Sequence, residues 1–248
     1  KSTLESSSVA AYGELESDLT SSLRLISGLR FENWSNNYED NNSVKGKTDE
    51  VLVGGNVTLE SMLTVNHLAY ISLARGYKAG GINANASISE ANREFDTEYN
   101  NTIELGLKSS MLNDELTTRL AAFYIQRKNQ QVKSSYSYLA GNVTKFQDYL
   151  ANAAEGKNYG LELESDWDLS SDLNWSLSAG YLVTEFVNYT YDNDDGEFNK
   201  NGRSQAHAPE YSLSTAIDYK ILSALNVRLE TEAKDKFYYS DSHYPGYS

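Results

Sequence analysis

Two polar stretches of this chain set aromatic rings beside cationic side chains. Tyr77, Lys78 and Arg93 lie on the first, Tyr136 and Tyr138 on the second. Tyrosine offers a flat ring face, and Lys or Arg offers charged donors. Such a set suits an anionic or catecholate metal chelate, held by charge-assisted hydrogen bonds and cation–π contact. A plainer reading of Tyr77 and Lys78 is that they end a strand at a membrane–water interface. Other reactive groups are poorly placed. His67, His207 and His243 are far apart and lack metal-ligand spacing. Asp192, Asp194, Asp195, Gly196 and Glu197 crowd one segment, but their spacing fails the EF-hand pattern, so a solvated loop is the simpler reading. With no Cys there is no disulfide, thiolate metal site or thiol nucleophile. No nucleophile-elbow, phosphate-loop or paired His–Glu motif occurs, so the sequence points away from catalysis and requires no cofactor.

The elements that would hold those stretches are two-sided strands. Leu173, Trp175, Leu177, Ala179, Tyr181 and Val183 alternate with Asn174, Ser176, Ser178 and Gly180. Tyr211, Leu213, Ile217, Tyr219 and Ile221 alternate with polar residues in the same way, as do Leu225, Val227, Leu229 and Ala233. Successive side chains of a strand point to opposite faces, so each segment has one apolar and one wet face. This pattern predicts about ten strands, at 8–18, 23–34, 51–60, 63–77, 96–111, 115–131, 149–169, 173–189, 210–222 and 225–239. Short turn-prone links at 19–22, 61–62, 112–114, 170–172 and 223–224 alternate with long segments at 35–50, 78–95, 132–148 and 190–209. Short turns at one end and long loops at the other mark an all-β, antiparallel, up-and-down transmembrane barrel. Trp167 and Trp175 flank a short turn, where the periplasmic aromatic girdle belongs, while Tyr77, Tyr99, Tyr181 and Tyr189 lie nearer the other rim. Glu14, Glu16, Arg24, Arg30, Glu60, Glu104, Lys108, Arg119, Glu162, Glu164, Arg228, Glu230 and Lys234 fall on the lumen side.

Composition agrees. A mean hydropathy of -0.57 is too polar for spanning helices, but only alternate residues of a spanning strand meet lipid. A formal net charge of -14 argues against nucleic acid, whose phosphates demand a basic surface. Residues 1–8 are polar and serine-rich, so for an exported protein the chain reads as mature or as starting internally, and the second reading is favoured.

Five stretches then carry a family resemblance. Residues 9–30 (VAAYGELESDLTSSLRLISGLR) resemble a barrel hairpin of the TonB-dependent outer-membrane receptors. Residues 69–83 (AYISLARGYKAGGIN) are similar to the family's Y-x-S-x-x-R-G-Y-K-x-G-G-x-N segment, the sharpest match. Residues 98–109 (EYNNTIELGLKS) resemble its E-x-x-x-x-x-E-x-G-x-K strand. Residues 122–131 (AFYIQRKNQQ) with 152–164 (NAAEGKNYGLELE) resemble a following hairpin, and 208–219 (APEYSLSTAIDY) an A-P-x-Y strand start. The resemblance implies a barrel of 22 strands with a plug domain inside, of which residues 1–248 would be an internal part without the plug. It further implies a receptor in a bacterial outer membrane that binds and imports a scarce nutrient. The cargo is most often a ferric siderophore, though haem, cobalamin and oligosaccharides use the same scaffold. Its partners would be that ligand, outer-membrane lipid, and TonB through an N-terminal region not in this chain. The alternatives are a passive porin-like channel and a soluble β-rich adhesin or carbohydrate-binding module.

Overall fold

A computed structural model describes residues 2–41, 44–85, 88–141, 143–193, 196–239 and 241. Its strands are β1 (Ser2–Asp18), β2 (Leu23–Asp40), β3 (Lys45–Thr64), β4 (His67–Lys78), β5 (Gly81–Ile82), β6 (Glu94–Phe95), β7 (Glu98–Met111), β8 (Leu116–Ala140), β9 (Val143–Ser170), β10 (Leu173–Asn193), β11 (Gly196–Asn199), β12 (Tyr211–Leu222) and β13 (Leu225–Lys234). One antiparallel sheet runs β1-β2-β3-β4-β7-β8-β9-β10-β12-β13, with β11 against β10 and a separate β5–β6 ladder. Every strand of the main path pairs with its neighbour in sequence.

Register shows why alternation matters. Ala69, Leu107, Leu120, Leu163, Ala179, Leu213 and Ala233 are successive cross-strand partners. Because directly opposed residues share a face, this row crosses seven strands on one side of the sheet. Leu73, Ile103, Tyr124, Tyr159 and Val183 form a parallel row nearer one rim, and Trp167 meets Trp175 near the other, ring centroids 6.4 Å apart. This apolar face is open: Leu73, Leu105 and Leu161 are each more than half exposed. From Trp175 to Val183 it spans nine residues, the span a tilted strand needs to cross a bilayer.

The opposite face is polar and internally paired. Arg119 reaches Glu164 at 3.1 Å, Arg228 reaches Asp218 at 2.6 Å, and Arg24 reaches Asp18 at 2.9 Å. The Thr58 and Ser72 hydroxyls meet at 2.8 Å, and the Tyr70 hydroxyl donates to Glu104 at 2.6 Å. These residues take the lumen side that alternation assigns them.

The structure departs from the sequence reading in four places. The segments 35–50 and 132–148 are largely strand: β2 runs on to Asp40, and β8 and β9 continue to Ala140 and from Val143. The apolar alternation stops where the bilayer stops, but the hydrogen-bonded ladder continues into water, where both faces can be polar. Between the strands of the main path, 79–97, which holds two short strands and the 3-10 turn Glu90–Asn92, and 200–210 are the long described segments that leave the ladder. The expected turn at 61–62 lies instead at 65–66, where the Thr64 hydroxyl accepts the Asn66 amide at 3.2 Å and Met62 still pairs with Leu68. The last strand ends at Lys234, where the Asp235 amide donates to the Tyr211 carbonyl at 2.9 Å. Finally, Tyr99 and Tyr181 lie at the rim of the apolar face, whereas Tyr189 does not. A register shift between Phe186 and Asn188 reverses the phase of β10 and turns Tyr189 into a buried cluster with Val132, Ala154 and Phe186. Tyr77 also leaves the girdle. Gly54 has no side chain, and the Tyr77 ring fills the space a Cβ there would need, its hydroxyl donating to Glu32 at 2.8 Å.

Two outcomes follow. In intact cells expressing the protein that contains this chain, a membrane-impermeant thiol reagent should modify Ala84→Cys, an exposed position of the 79–97 segment, and spare Ser171→Cys; the reverse pattern would invert the topology. Leu163→Arg, at the middle of the apolar band, should cost about 2–4 kcal/mol in reversible unfolding from lipid. Ser178→Arg, on the face of Glu164, should cost far less.

Candidate functional site

The polar segment carrying Lys78 and Arg93 is folded against its neighbours. Its foundation is a bulge in β8. Four polar residues in a row, Lys128 to Gln131, break the two-residue period, and Asn129 takes a left-handed conformation (φ 50°) that Asn tolerates. Register slips on both sides of Gln130, and both glutamines become buried. The Gln131 side-chain amide donates to the carbonyls of Lys78, Ala79 and Asp96 at 3.2, 2.9 and 3.1 Å. Its backbone N–H donates to Glu98 at 2.9 Å. One side chain thus ties both ends of 79–97 together.

Glu98 is also the buried partner of Arg127, at 2.6 Å. The same guanidinium donates to the Gln205 side-chain carbonyl at 2.9 Å, and Gln205 donates to Asn158 at 2.9 Å. Arg127 therefore couples the two irregular loops, 79–97 through Glu98 and 200–210 through Gln205. Lys200, in the second loop, is buried, and that burial, with Arg203 nearby, pushes its ammonium pKa down.

The far end of 79–97 is held as firmly. Asn83 donates to the Leu150 carbonyl and accepts its N–H, both at 2.8 Å. Asn152 donates to the Asp96 carbonyl at 2.9 Å, and Asn85 donates to the Gln147 side chain at 2.8 Å. Toward β2 and β3, the Thr97 hydroxyl binds Glu50 and accepts the Gly80 amide at 3.0 Å. Only glycine fits at Gly80: a Cβ would lie 2.5 Å from the Phe95 carbonyl oxygen.

The five candidate residues separate within this frame. Tyr77 is engaged with Glu32 and with Arg30, whose Nε donates to its hydroxyl at 3.0 Å. Arg93 is only 8% exposed; it donates to the Ile88 carbonyl at 2.7 Å and lies 6.0 Å from the Tyr38 ring centroid. Burial and the hydrogen bond to Asp40 push the Tyr38 phenol pKa up, so the ring beneath that cation stays neutral. The Lys78 side chain is exposed, opposite Glu98 on the lumen side. Tyr136 and Tyr138 lie on the β8–β9 hairpin, opposite Gln147 and Lys145, their side chains outside the described residues. Because Asn85 binds Gln147, the tip of the first segment meets the hairpin that carries the second pair. Sequence reasoning missed Glu98, Arg127, Gln131, Asn152 and Gln205 as a unit. The broken alternation at 128–131 was the available signal.

The same contacts explain the motifs. A Cβ on Gly106 would lie 2.1 Å from the Tyr70 ring, the Tyr70 hydroxyl binds Glu104, and Lys108 sits 5.2 Å from that ring. The Tyr-Ser-Arg-Gly-Tyr-Lys strand and the Glu-Gly-Lys strand are two sides of one ladder. The family model described as "TonB dependent receptor-like, beta-barrel" matches residues 1–248. The chain belongs to that family.

Such barrels lie in the outer membrane of Gram-negative bacteria. Among relatives, the pesticin receptor of Yersinia enterocolitica is 26% identical over 217 residues, covering 85% of this chain and 30% of the receptor. The probable TonB-dependent siderophore receptor PiuA of Acinetobacter baumannii is 26% identical over 264 residues, covering 95% of this chain and 32% of the receptor. The crystal structure of the ferric yersiniabactin uptake receptor FyuA from Yersinia pestis superposes with a TM-score of 0.77 at 23% identity, over 97% of this chain and 36% of that one. This chain spans about a third of the length of the curated relatives it matches. Among the described residues, no group of three or more His, Asp or Glu is placed to hold a metal ion.

Glu98→Ala should leave Arg127 without its buried partner and cost about 3–5 kcal/mol. Hydrogen exchange at the Gly80, Gln131 and Leu150 amides should accelerate by roughly a hundredfold or more. Lys133→Ala, which breaks an exposed pair with Asp148, should cost about 1 kcal/mol or less.

Proposed function

We propose that this chain is part of a receptor that captures a scarce nutrient outside the cell and imports it, the cargo being a ferric siderophore or a similar metal chelate. The observation that carries the reading is the pinned polar collar of 79–97, standing at the loop end of a barrel wall whose sequence matches the receptor family from end to end. Loops on a rigid scaffold are where recognition is built. One relative is named as a probable siderophore receptor, which supports an organic metal chelate as the ligand class. Energy would arrive through TonB, by way of parts of the receptor outside this chain.

In this reading Lys78, Tyr136 and Tyr138 touch the cargo. Lys78 supplies a charged donor on the lumen side, and the hairpin tyrosines supply flat faces. Tyr77 and Arg93 act one layer back. Tyr77 fixes the end of β4 on Glu32, and Arg93 braces the loop from inside.

The test is chelate binding to cells expressing the receptor, with growth under iron limitation as a second readout. Lys78→Ala should remove one charge-assisted bond, about 1.5–3 kcal/mol or one to two decades in affinity. Undiminished binding in Lys78→Ala, Tyr136→Ala and Tyr138→Ala would remove these residues from the site. Growth lost on cobalamin or a sugar but retained under iron limitation would reassign the cargo. Uptake that persists after the proton gradient is collapsed would make the barrel a passive channel.

A further inference from the structure

Three rings meet at the loop end of the sheet, brought there by the segments that enter β12 and leave β13. The His207 ring centroid lies 6.0 Å from that of Phe237 and 6.3 Å from that of Tyr239, and Phe237 lies 5.2 Å from Tyr239. The rings are inclined to one another by 49° to 78°, so they form a cup rather than a stack. Lys234, the last residue of β13, holds its ammonium nitrogen 5.7 Å from the Phe237 centroid. Among the described residues Lys234 has no carboxylate at ion-pair distance.

Register sets the cup on the lumen side, beyond the bilayer. Lys234 opposes Ser212, Ser212 opposes Gly180, and Gly180 opposes Glu162, a row on the face of Glu164. The Asp235 amide binds the carbonyl of Tyr211, so the chain that carries Phe237 and Tyr239 continues past the apolar band. Backbone contacts then pin the cup. The His207 amide donates to the Tyr238 carbonyl at 2.8 Å, and the Ala206 amide donates to the Asp241 carboxylate at 2.8 Å. His207 takes a left-handed conformation (φ 58°), which a residue with a Cβ keeps only where its surroundings hold it there. Two residues earlier, Gln205 is bound by Arg127, whose other partner Glu98 opposes Lys78. The cup and Lys78 therefore belong to one braced wall.

Packing alone does not account for this group. Rings gathered for stability are hidden from water, yet Tyr239 is 65% exposed and His207 is exposed as well. An open aromatic cup with a cation at its lip offers two things to one guest: ring faces for π contact, and a charged donor for an oxygen anion. We propose that His207, Phe237, Tyr239 and Lys234 form a subsite for an aryl-oxygen arm, a phenolate or catecholate ring, of the chelate. The proposal rests on the reading of the protein as a chelate receptor, and it narrows the cargo to chelates that carry aromatic rings. The guest ring packs against Phe237 and Tyr239, Lys234 bonds its metal-bound oxygen, and the imidazole closes the third side. A chelate held by hydroxamate or carboxylate oxygens alone has no ring to place there.

The experiment uses the receptor containing this chain, in detergent micelles, with three iron(III) probes: a tris-catecholate, a ringless tris-hydroxamate and citrate. Quenching of intrinsic fluorescence reads the affinity of each. The wild-type receptor should bind the tris-catecholate at least tenfold more tightly than either ringless probe. Phe237→Leu combined with Tyr239→Leu should abolish that preference by weakening the tris-catecholate alone, whereas Tyr239→Phe should keep it. Lys234→Gln should weaken the anionic tris-catecholate severalfold and leave the uncharged tris-hydroxamate unchanged. Heat-modifiable electrophoretic mobility confirms that each variant is a folded barrel. A wild type that binds a ringless probe as tightly, or a double variant that keeps the preference, would overturn the cup and leave the chelate reading standing. Binding of none of the three would contradict the chelate reading and the cup with it.

Discussion

Everything in this structure depends on one constraint: a backbone amide or carbonyl in hydrocarbon must find its hydrogen bond within the protein. A strand meets it only through its neighbours, so a spanning sheet must be laddered continuously across the bilayer. Side chains then have no choice of face. Each row of opposed residues is wholly outward or wholly inward, and the chain must write its chemistry in alternation. Nine residues from Trp175 to Val183, bounded by the tryptophan pair and the tyrosine row, show how closely that writing follows bilayer thickness. The lumen side is free to be polar, and its charges pair across the ladder.

Above the bilayer the constraint relaxes, because water can satisfy the backbone. The chain uses that freedom in two ways. Two hairpins, at β2–β3 and β8–β9, simply continue the ladder outward. Two loops instead fold against the wall, held by side chains that satisfy backbone groups the ladder no longer serves. Gln131 does this for three carbonyls, Asn83 for both polar groups of Leu150, and Asn152 for Asp96. Arg127 joins the two loops through Glu98 and Gln205. A collar built this way is rigid and still polar, which suits the base of a recognition surface.

The spanning strands were legible because lipid and water impose a two-residue period that nothing local overrides. Turns with their own chemistry, such as 19–22 and 223–224, were legible for the same reason. The turn at 65–66 was not, since Ser61 and Met62 look turn-prone while the deciding contact is the Thr64 hydroxyl. Strand ends outside the bilayer were also hidden, because a ladder with two wet faces resembles a loop in composition. Of the candidate residues, sequence could locate aromatic and cationic chemistry but not its direction. Tyr77 reads as a rim residue until Gly54 on the neighbouring strand is seen to leave room for the ring. Arg93 reads as a loop cation until the loop closes around it. The family motifs were recognisable because glycine is demanded by contact: Gly106 under Tyr70, and Gly80 against the Phe95 carbonyl. Such motifs report the scaffold, and they are silent about the cargo.

The most direct test of the two-faced sheet is a nitroxide scan from Tyr159 to Trp167 in the receptor reconstituted in lipid. Accessibility to oxygen and to a water-soluble nickel chelate is read at each position. The account predicts oxygen maxima at residues 159, 161, 163, 165 and 167, with nickel maxima at the residues between them. A scan without a two-residue period, or one with the two phases exchanged, would contradict it.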